Sequence, residues 1–511
     1  ILHPRYSPAP LDIWIAIMFS LAVIEATRRS VGLTIPILIL LALLYALYGP
    51  YLPAVWGHRG VPFERIAELL FLGTRGIWGS VTHVSATLIS IFILFGAVLL
   101  STGGGAAMMK WALALGGRYH GGAAKVSVIM SALFGMINGS PAANAATTGS
   151  ITIPMMIERN YSRRFAGAAE SASSLAGQVT PPVMGAAAFI MAEFLSVSYT
   201  TIIGYAVVPA TLFILGMFMS VHFHSKRAGY LPVAQDDIPK FRELLTWQNT
   251  APMFIPIVTL VAVLLLGYSA QRAGVLAIFA AITVHLVSAR SLKGAGERIR
   301  DVLSGLIAGA RSLASIAVLI LGAQIFLTLI SYTGLTVKLS QMMVSVGGDS
   351  LLGALVLGMI ISIIMGMGVP TVAAYLVVAA VVVPGLTRLG IEPAAAHLFV
   401  FYFAVAASIT PPVCATVYVT AGIARTPWLP VALESVKLGI GAFLVPFVLV
   451  LAPSILGLSG IVPMIPPFLT GLAGIVVLSA GVAGFGLNKL GPVERVLAVG
   501  AGLLLLYPDP L

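Results

Sequence analysis

Hydrophobic residues run along this chain in long stretches that contain no charged residue. These stretches cover residues 81–109, 171–192, 194–225, 244–271, 273–289, 312–337, 350–387, 393–424 and 438–488. Most of them reach the roughly 20 apolar residues that a helix needs to cross the bilayer core. They are too long, and too rich in Leu, Ala and Gly, for the strands of a membrane barrel, which alternate over about ten residues. The pattern predicts an all-α polytopic membrane protein.

The composition indicates the same class of protein. Of 511 residues, 59% are hydrophobic and 9% are charged, whereas a soluble domain carries about 25% charged residues. The net charge of +11 comes from basic residues scattered over short loops, as the positive-inside rule describes. We therefore expect the chain to lie in a lipid bilayer and to bind no nucleic acid. Because the chain begins at Ile1 and segment 11–24 is already helix-like, we also expect that N-terminal sequence is missing.

The basic loops predict a re-entrant hairpin over residues 126–158. If Lys125 and Arg159 are both cytoplasmic, the 33 residues between them begin and end on the same side of the membrane. Two full crossings would need about 40 residues and a turn. A hairpin with its tip near 138–141 instead has arms of about 20 Å, at about 1.5 Å per residue. Two short, tilted spanning helices are the alternative.

A second hairpin is predicted over residues 350–388, with its interruption at 366–370. Each hairpin is followed about 40 residues later by the tripeptide Thr-Pro-Pro, at 180–182 and at 410–412. The two copies are offset by about 230 residues, and the count of membrane crossings gives them opposite orientations. This arrangement is an inverted-topology repeat, which is typical of secondary transporters.

The repeat divides the chain into five regions. They are a short N-terminal helical pair (1–50), repeat one (51–224), a linker with connecting helices (225–280), repeat two (281–457) and a C-terminal helical tail (458–511). Two amphipathic stretches, 62–79 and 294–311, precede the two hairpins. We expect them to be helices that lie in the membrane interface and act as arms of the repeats.

Gly and Pro interrupt both hairpins and both helices that follow them. Because Pro removes a backbone donor and Gly relaxes the chain, polar backbone groups lose their helical partners at depth. Freed carbonyls with Ser, Thr and Asn oxygens suit a hard cation such as sodium, and exposed half-helix N-termini favour an anionic group. The candidate substrate and ion ligands are Asn138, Gly139, Ser140, Asn144, Gly177, Gln178, Thr180, Gly366, Gly368, Thr371, Ser408 and Thr410. The alternative is that Gly and Pro merely kink packed helices.

Glu170 is an ionisable residue on the helix that leads into the first Thr-Pro-Pro. A carboxylate within a membrane is costly and often functional, so Glu170 is a candidate proton carrier or cation ligand. The other interpretation places Glu170 near the cytoplasmic interface, paired with Arg163 or Arg164. No phosphate loop, His-Glu-x-x-His motif or nucleophile elbow is found, so we expect no enzymatic activity.

Two long runs of sequence carry a family resemblance. They are FGMINGSPAANAATTG at 134–149 and GQVTPPVMGAAAFIMAEF at 177–194. Shorter motifs at 57–60, 366–370 and 409–413 contribute to the same resemblance. Together they resemble the fused permease of TRAP transporters, most of all its TAXI branch, over about residues 11–457.

The resemblance implies a tripartite system in the cytoplasmic (inner) membrane of a bacterium or archaeon. A periplasmic TAXI-type solute-binding protein would deliver a small organic anion, such as a dicarboxylate or an amino acid, to an elevator-type transport domain. A sodium or proton gradient would drive symport, and no cofactor is implied. Fused members carry a four-helix small-subunit part first, so residues 1–50 would be its C-terminal part. The alternatives are a related symporter that needs no binding protein, a membrane-embedded enzyme or a channel.

Overall fold

The computed structural model describes residues 9–53, 55–288, 292–347, 350–458 and 460–507. In these residues the regular secondary structure is helical, with one isolated β-bridge between Phe485 and Lys489. Ten of the described helices are long and apolar enough to cross a membrane. The fold is therefore that of an all-helical, polytopic membrane protein, as the hydrophobic pattern predicts.

The N-terminal region forms a helical pair followed by a short arm. Its helices are α1 (Pro10–Val31), α2 (Thr34–Tyr48) and α3 (Phe63–Ala67), with a 3₁₀ turn at Gly49–Tyr51 and a π-turn at Glu68–Leu72. Helices α1 and α2 pack against each other. Three glycines, Gly73, Gly76 and Gly79, follow the π-turn, and the arm ends there because glycine disfavours helix continuation.

Repeat one continues with a spanning segment, a hairpin and the first Thr-Pro-Pro. Its helices are α4 (Ser80–Val84), α5 (Ser90–Ser101), α6 (Gly104–Gly116), α7 (Gly122–Asn138), α8 (Pro141–Glu158), α9 (Arg163–Ser173), α10 (Ala176–Val179), α11 (Ala186–Leu195) and α12 (Tyr199–Ala228). A π-turn at Ser85–Ile89 joins α4 and α5 into one candidate span. Helices α7 and α8 pack against each other and form the first hairpin.

The connecting region, repeat two and the tail complete the chain. Their helices are α13 (Phe241–Leu244), α14 (Trp247–Leu265), α15 (Ala270–Val287), α16 (Leu292–Tyr332), α17 (Leu335–Gly347), α18 (Leu351–Gly366), α19 (Thr371–Arg388), α20 (Pro393–Ala406), α21 (Ala415–Ala424), α22 (Trp428–Leu438), α23 (Ile440–Leu451), α24 (Ile465–Ala483) and α25 (Pro492–Leu505). Short 3₁₀ turns lie at Gln235–Asp237, Pro453–Leu456 and Val462–Met464. Helices α18 and α19 pack together as the second hairpin.

Helices of the two repeats follow one another in the same order. Helices α6, α7, α8, α9 and α11 have counterparts about 230 residues later in α17, α18, α19, α20 and α21. The two repeats also interlock, because α21 packs against α8 and α9, while α11 packs against α19 and α20. Each hairpin is thus covered by a helix that the other repeat supplies.

The two arms differ from each other in the structure. Residues 294–311 are helical, as expected, but they form the first half of α16, a continuous helix of 41 residues. After Arg311 the sequence continues with helix-forming apolar residues and lacks the cluster of glycines that ends the first arm. Helix α16 also contacts α1, α2, α5 and α19, so it lies at the centre of the contacts between the regions.

Local chemistry explains why both hairpins break where they do. Helix α7 ends at Gly139, whose φ of 62° is left-handed, and α8 begins with Pro141 after the N-cap Ser140. In the second hairpin Gly368 has a φ of 70°, and Pro370 is the N-cap of α19. The four arms have 16 to 18 residues, or about 24 to 27 Å, against a hydrocarbon core of about 30 Å. The re-entrant orientation itself stays a prediction.

Candidate functional site

Glycine contacts fix the first hairpin directly against the segment around the first Thr-Pro-Pro. A Cβ atom on Gly135 would lie 2.0 Å from the Cα of Gly177, and one on Gly139 would lie 2.4 Å from the Cα of Gly185. These distances leave no room for a side chain, so the two backbones touch. Gly177 therefore packs against the first hairpin, and the hairpin tip lies beside Gly185.

Two buried amides in this region have an unpaired oxygen. The Asn144 Nδ2 donates to the carbonyls of Ser131 at 3.0 Å and Ser174 at 3.4 Å, and Gln178 Nε2 donates to that of Gly139 at 2.8 Å. Asn144 Oδ1 and Gln178 Oε1 are both buried, and neither has a hydrogen-bond partner within the described part of the chain. Because an unpaired buried acceptor costs about 1–3 kcal/mol, each oxygen is suited to receive a proton donor or a cation.

A cavity of about 190 Å³ lies between the tips of the two hairpins. Gly139, Ser140 and Gln178 line it from repeat one, and Pro370 and Thr371 line it from repeat two. Ser315, Ile316 and Leu319 of α16 form another part of its wall. The structure thus brings four of the predicted site residues to a single space: Gly139 and Ser140 from the first tip, Gln178 from the segment that follows, and Thr371 from the second tip.

The same cavity collects the N-termini of two 18-residue helices. Ser140 is the N-cap of α8, and its Oγ accepts a hydrogen bond from the Ala143 amide at 3.4 Å. Pro370 is the N-cap of α19 and provides no side-chain cap. Helix N-termini carry partial positive charge and amide groups without helical partners. Two of them at one cavity favour a negatively charged group.

Three predicted hydroxyl ligands bind their own helices in this structure. Thr180 Oγ1 donates to the carbonyl of Ala176, Ser408 Oγ donates to that of Val405 at 2.7 Å, and Thr410 Oγ1 donates to that of Ala406 at 2.8 Å. The lining of the tip cavity does not include these three residues.

The predicted glycines of repeat two lie beside other segments. A Cβ on Gly366 would meet the Cβ of Ala407 at 2.9 Å, and the Gly368 carbonyl accepts a hydrogen bond from Thr34 Oγ1 at 3.4 Å. These contacts join the second tip to α2 and to the end of α20. Asn138 is the last residue of α7, and its side chain lies outside the described part of the structure.

Glu170 is completely buried, with no exposed surface. Its carboxylate accepts hydrogen bonds from Ser127 Oγ at 2.6 Å and from the hydroxyls of Thr148 and Thr152. Longer bonds come from Ser131 Oγ at 3.3 Å and Ser174 Oγ at 3.4 Å. Five hydroxyl groups from α7, α8 and the end of α9 therefore surround one carboxyl group.

The interpretation that paired Glu170 with a neighbouring arginine is wrong. Arg163 Nη1 donates to the carbonyl of Ala424 at 3.0 Å, and Arg164 forms an ion pair with Glu434. Glu170 lies six and seven residues, or about two helical turns, beyond these arginines. Its side chain meets the hairpin, whereas theirs reach α21 and α22. Among the described residues no Lys, Arg or His forms an ion pair with Glu170.

The sequence contains a signal for this cage of hydroxyls, although the signal is not a named motif. Its members come as pairs four residues apart, 127 and 131 on α7, 148 and 152 on α8, and 170 and 174 on α9. Residues four apart share one face of a helix. Gly149 adds space, since a Cβ there would lie 3.0 Å from Glu170 Cγ. Hydroxyl and carboxyl oxygens together suit a proton or a hard cation.

Repeat two has no equivalent carboxyl group. Helix α20 is the counterpart of α9, and Ala394–Ala406 are all buried. Its polar side chains are His397, whose Nδ1 lies 2.8 Å from the hydroxyl of Tyr375, and Tyr402. The carboxylate site therefore belongs to one repeat, whereas the tip cavity is shared by both.

The fold and the site define a multi-pass membrane protein with two repeated, broken hairpins around a common cavity. Residues 18–465 match the model of the family described as the tripartite ATP-independent periplasmic transporter, DctM component. This region is most of the chain, and the chain belongs to that family.

Curated relatives agree with the family. The isethionate TRAP transporter permease protein DctMQ of Oleidesulfovibrio alaskensis is 22% identical over 71% of this chain and 55% of its own length. The sialic acid TRAP transporter large permease protein SiaM of Vibrio cholerae is 21% identical over 76% of this chain and 90% of its own. The C4-dicarboxylate TRAP transporter large permease protein DctM of Rhodobacter capsulatus is 23% identical over 78% and 92%.

Proposed function

We propose that this chain is the membrane permease of a binding-protein-dependent secondary transporter that imports small organic anions by cation symport. The observation that carries the proposal is the tip cavity, where two helix N-termini and the unpaired Gln178 oxygen meet. The system would lie in the cytoplasmic membrane of a bacterium or archaeon. A periplasmic solute-binding protein, of the TAXI type that the motifs resemble, would deliver the substrate.

The cavity favours a small carboxylate as the substrate. Among the described residues no basic side chain lines it, so the N-termini of α8 and α19 would supply the positive potential for an anionic group. At about 190 Å³ it is smaller than the roughly 300–1,000 Å³ of ordinary ligand pockets. Dicarboxylates and amino acids fit this description. The names of the three relatives, which refer to isethionate, sialic acid and a C4-dicarboxylate, are all those of anionic compounds.

Two places support a coupling ion, which is a co-substrate of the proposed symport. Sodium would bind among hairpin oxygens, with Asn144 Oδ1 and Gln178 Oε1 as available acceptors and the hydroxyl-bearing Ser140 and Thr371 beside Gln178 at the tip cavity. A proton would be carried by Glu170, whose hydroxyl cage holds the carboxyl group in either protonation state because each hydroxyl both donates and accepts.

The packing supports an elevator mechanism. The tip cavity has α16 on one side and the two hairpins on the other, and the hairpins interlock through α11 and α21. We infer that the hairpins, α9 to α11, α20 and α21 move as one body past a scaffold that contains α16 and the arms. Alternating access would then carry the cavity from one face of the membrane to the other.

Uptake into proteoliposomes tests this function. Purified protein would be reconstituted with its binding protein, and labelled carboxylates would be offered under an imposed sodium or proton gradient. The expected result is accumulation that requires both the binding protein and one of the gradients. Accumulation without the binding protein would indicate a related autonomous symporter, and flux that neither gradient can concentrate would indicate a channel.

A further inference from the structure

A large basic cleft of about 920 Å³ lies away from the tip cavity. It is formed by the start of α9, the end of α12, α22 and the two tail helices α24 and α25. The family match ends at residue 465, so α25 and nearly all of α24 lie beyond it. Neither substrate binding nor ion coupling, as proposed above, uses this cleft.

Positive charge dominates the lining of the cleft. Among the described residues, four cations line it, Arg164, Arg227, Lys437 and Arg495, with a single carboxylate, that of Glu434. The ion pair between Arg164 and Glu434 neutralises one cation and leaves an excess of three. At close range these like charges repel one another, so they are stabilised by an anion that binds between them.

Two of the arginines are held in place by the end of α24. Arg227 Nη1 donates to the carbonyl of Ala483 at 2.6 Å. Arg495 Nε and Nη2 donate to the carbonyls of Gly481 and Val482, both at 3.1 Å. A guanidinium has five N–H donors, so both arginines keep donors for a ligand. Lys437 is exposed and has no hydrogen-bond partner among the described residues.

An apolar wall adjoins these cations. The cleft is lined by Val482, Val496 and Val499. Two further apolar residues of α25, Val493 and Leu497, are 72% and 65% exposed. An exposed apolar helix in a membrane protein faces lipid chains. The cleft therefore joins a set of phosphate-binding groups to a lipid-facing surface.

We propose that this cleft binds the phosphate-bearing headgroup of an anionic phospholipid. The neighbouring basic residues, which include Arg163, Arg164, Lys226 and Arg227, place it on the side that the positive-inside rule assigns to the cytoplasm. Basic pockets between helices on that side suit anionic headgroups. A headgroup bound there joins the C-terminal tail to α9 and α22, which belong to different repeats.

Lipid titration of the purified protein tests the proposal. Wild-type protein and the Lys437→Gln variant would be titrated in detergent with phosphatidylglycerol, and in parallel with zwitterionic phosphatidylcholine. Lipid binding would be read from native mass spectrometry and from the midpoint of thermal unfolding. We expect wild-type protein to retain phosphatidylglycerol selectively and Lys437→Gln to bind it about fivefold more weakly. Because the Lys437 side chain bonds none of the described residues, the variant is expected to fold normally.

Arg118→Gln is the matched control, since Arg118 is also exposed and has no side-chain partner among the described residues, but lies outside the cleft. It should bind phosphatidylglycerol as the wild type does. Equal binding by wild type and Lys437→Gln would overturn the proposal, as would equal loss in both variants. If inorganic phosphate without lipid gave the same Lys437-dependent stabilisation, the ligand would be a soluble phosphate and the lipid assignment would be wrong.

Discussion

The backbones of Gly135 and Gly177 touch each other in the interior of repeat one, where a Cβ on Gly135 would lie 2.0 Å from the Gly177 Cα. This contact fixes the first hairpin against the helix that leads to Thr-Pro-Pro. It also brings two predicted ligand regions together, because the side-chain amide of Gln178 donates a hydrogen bond to the carbonyl of Gly139 at the tip.

Replacement of Gly135 by alanine should destabilise the protein severely. Backbone cannot yield as a flexible side chain does, so we expect a loss of about 3 kcal/mol or more, from overpacking. The midpoint of thermal unfolding in detergent measures it. Gly204→Ala is the control, because a Cβ at Gly204 meets nothing within 4 Å. Equal midpoints for the two variants would show that the contact can relax.

The Glu170→Gln variant should lose proton-driven uptake and keep exchange of substrate across the membrane. Glutamine keeps the shape and can hydrogen-bond with the surrounding hydroxyls, but it cannot release a proton. Uptake under a pH gradient and counterflow in its absence are the two measurements. Thr147→Val is a suitable control, since Thr147 is next to Thr148 in sequence but its hydroxyl, among the described residues, donates to the Ala143 carbonyl and not to Glu170. Unchanged pH dependence in Glu170→Gln would leave Glu170 with a structural role.

Substitution of Gln178 should impair binding more than substitution of Thr180. Gln178→Met removes the unpaired Oε1 and also the Nε2 that donates to the Gly139 carbonyl at the tip. We expect the apparent affinity for substrate or cation to fall about tenfold or more, as for the loss of one hydrogen bond to a charged group and of a contact that positions the tip. Thr180→Val removes a hydroxyl that already bonds Ala176, so its effect should be smaller. Concentration dependence of uptake gives both values. A larger loss in Thr180→Val would identify that hydroxyl as the ligand.

A crosslink between the hairpins and α16 should stop transport. Ser315 of α16 and Thr371 at the second tip line the same cavity of about 190 Å³. With both changed to cysteine, a short bifunctional thiol reagent should abolish uptake if the hairpins move past α16. Single-cysteine variants treated with the same reagent are the controls, and Cys414, the natural cysteine, is buried. Normal uptake by the fully crosslinked protein would exclude an elevator motion between these elements.

The helices, their breaks and the order in which they repeat follow from local features of the amino-acid sequence. Long apolar stretches predict spans because the bilayer requires about 20 apolar residues. Gly139, Pro141, Gly368 and Pro370 end helices locally, through backbone geometry that needs no tertiary contact. For the same reason the two Thr-Pro-Pro motifs can be aligned, and the repeat can be recognised, from the amino-acid sequence alone.

Tertiary structure decided what each polar group meets. The sequence could not say whether Glu170 lies beside Arg164 or among hydroxyls, because the direction of a helix face depends on its neighbours. The hydroxyls of Ser127 and Thr148 are 43 and 22 residues away along the chain, and only the packing of α7, α8 and α9 brings them together. Likewise, the basic cleft exists only because the tail folds back onto both repeats.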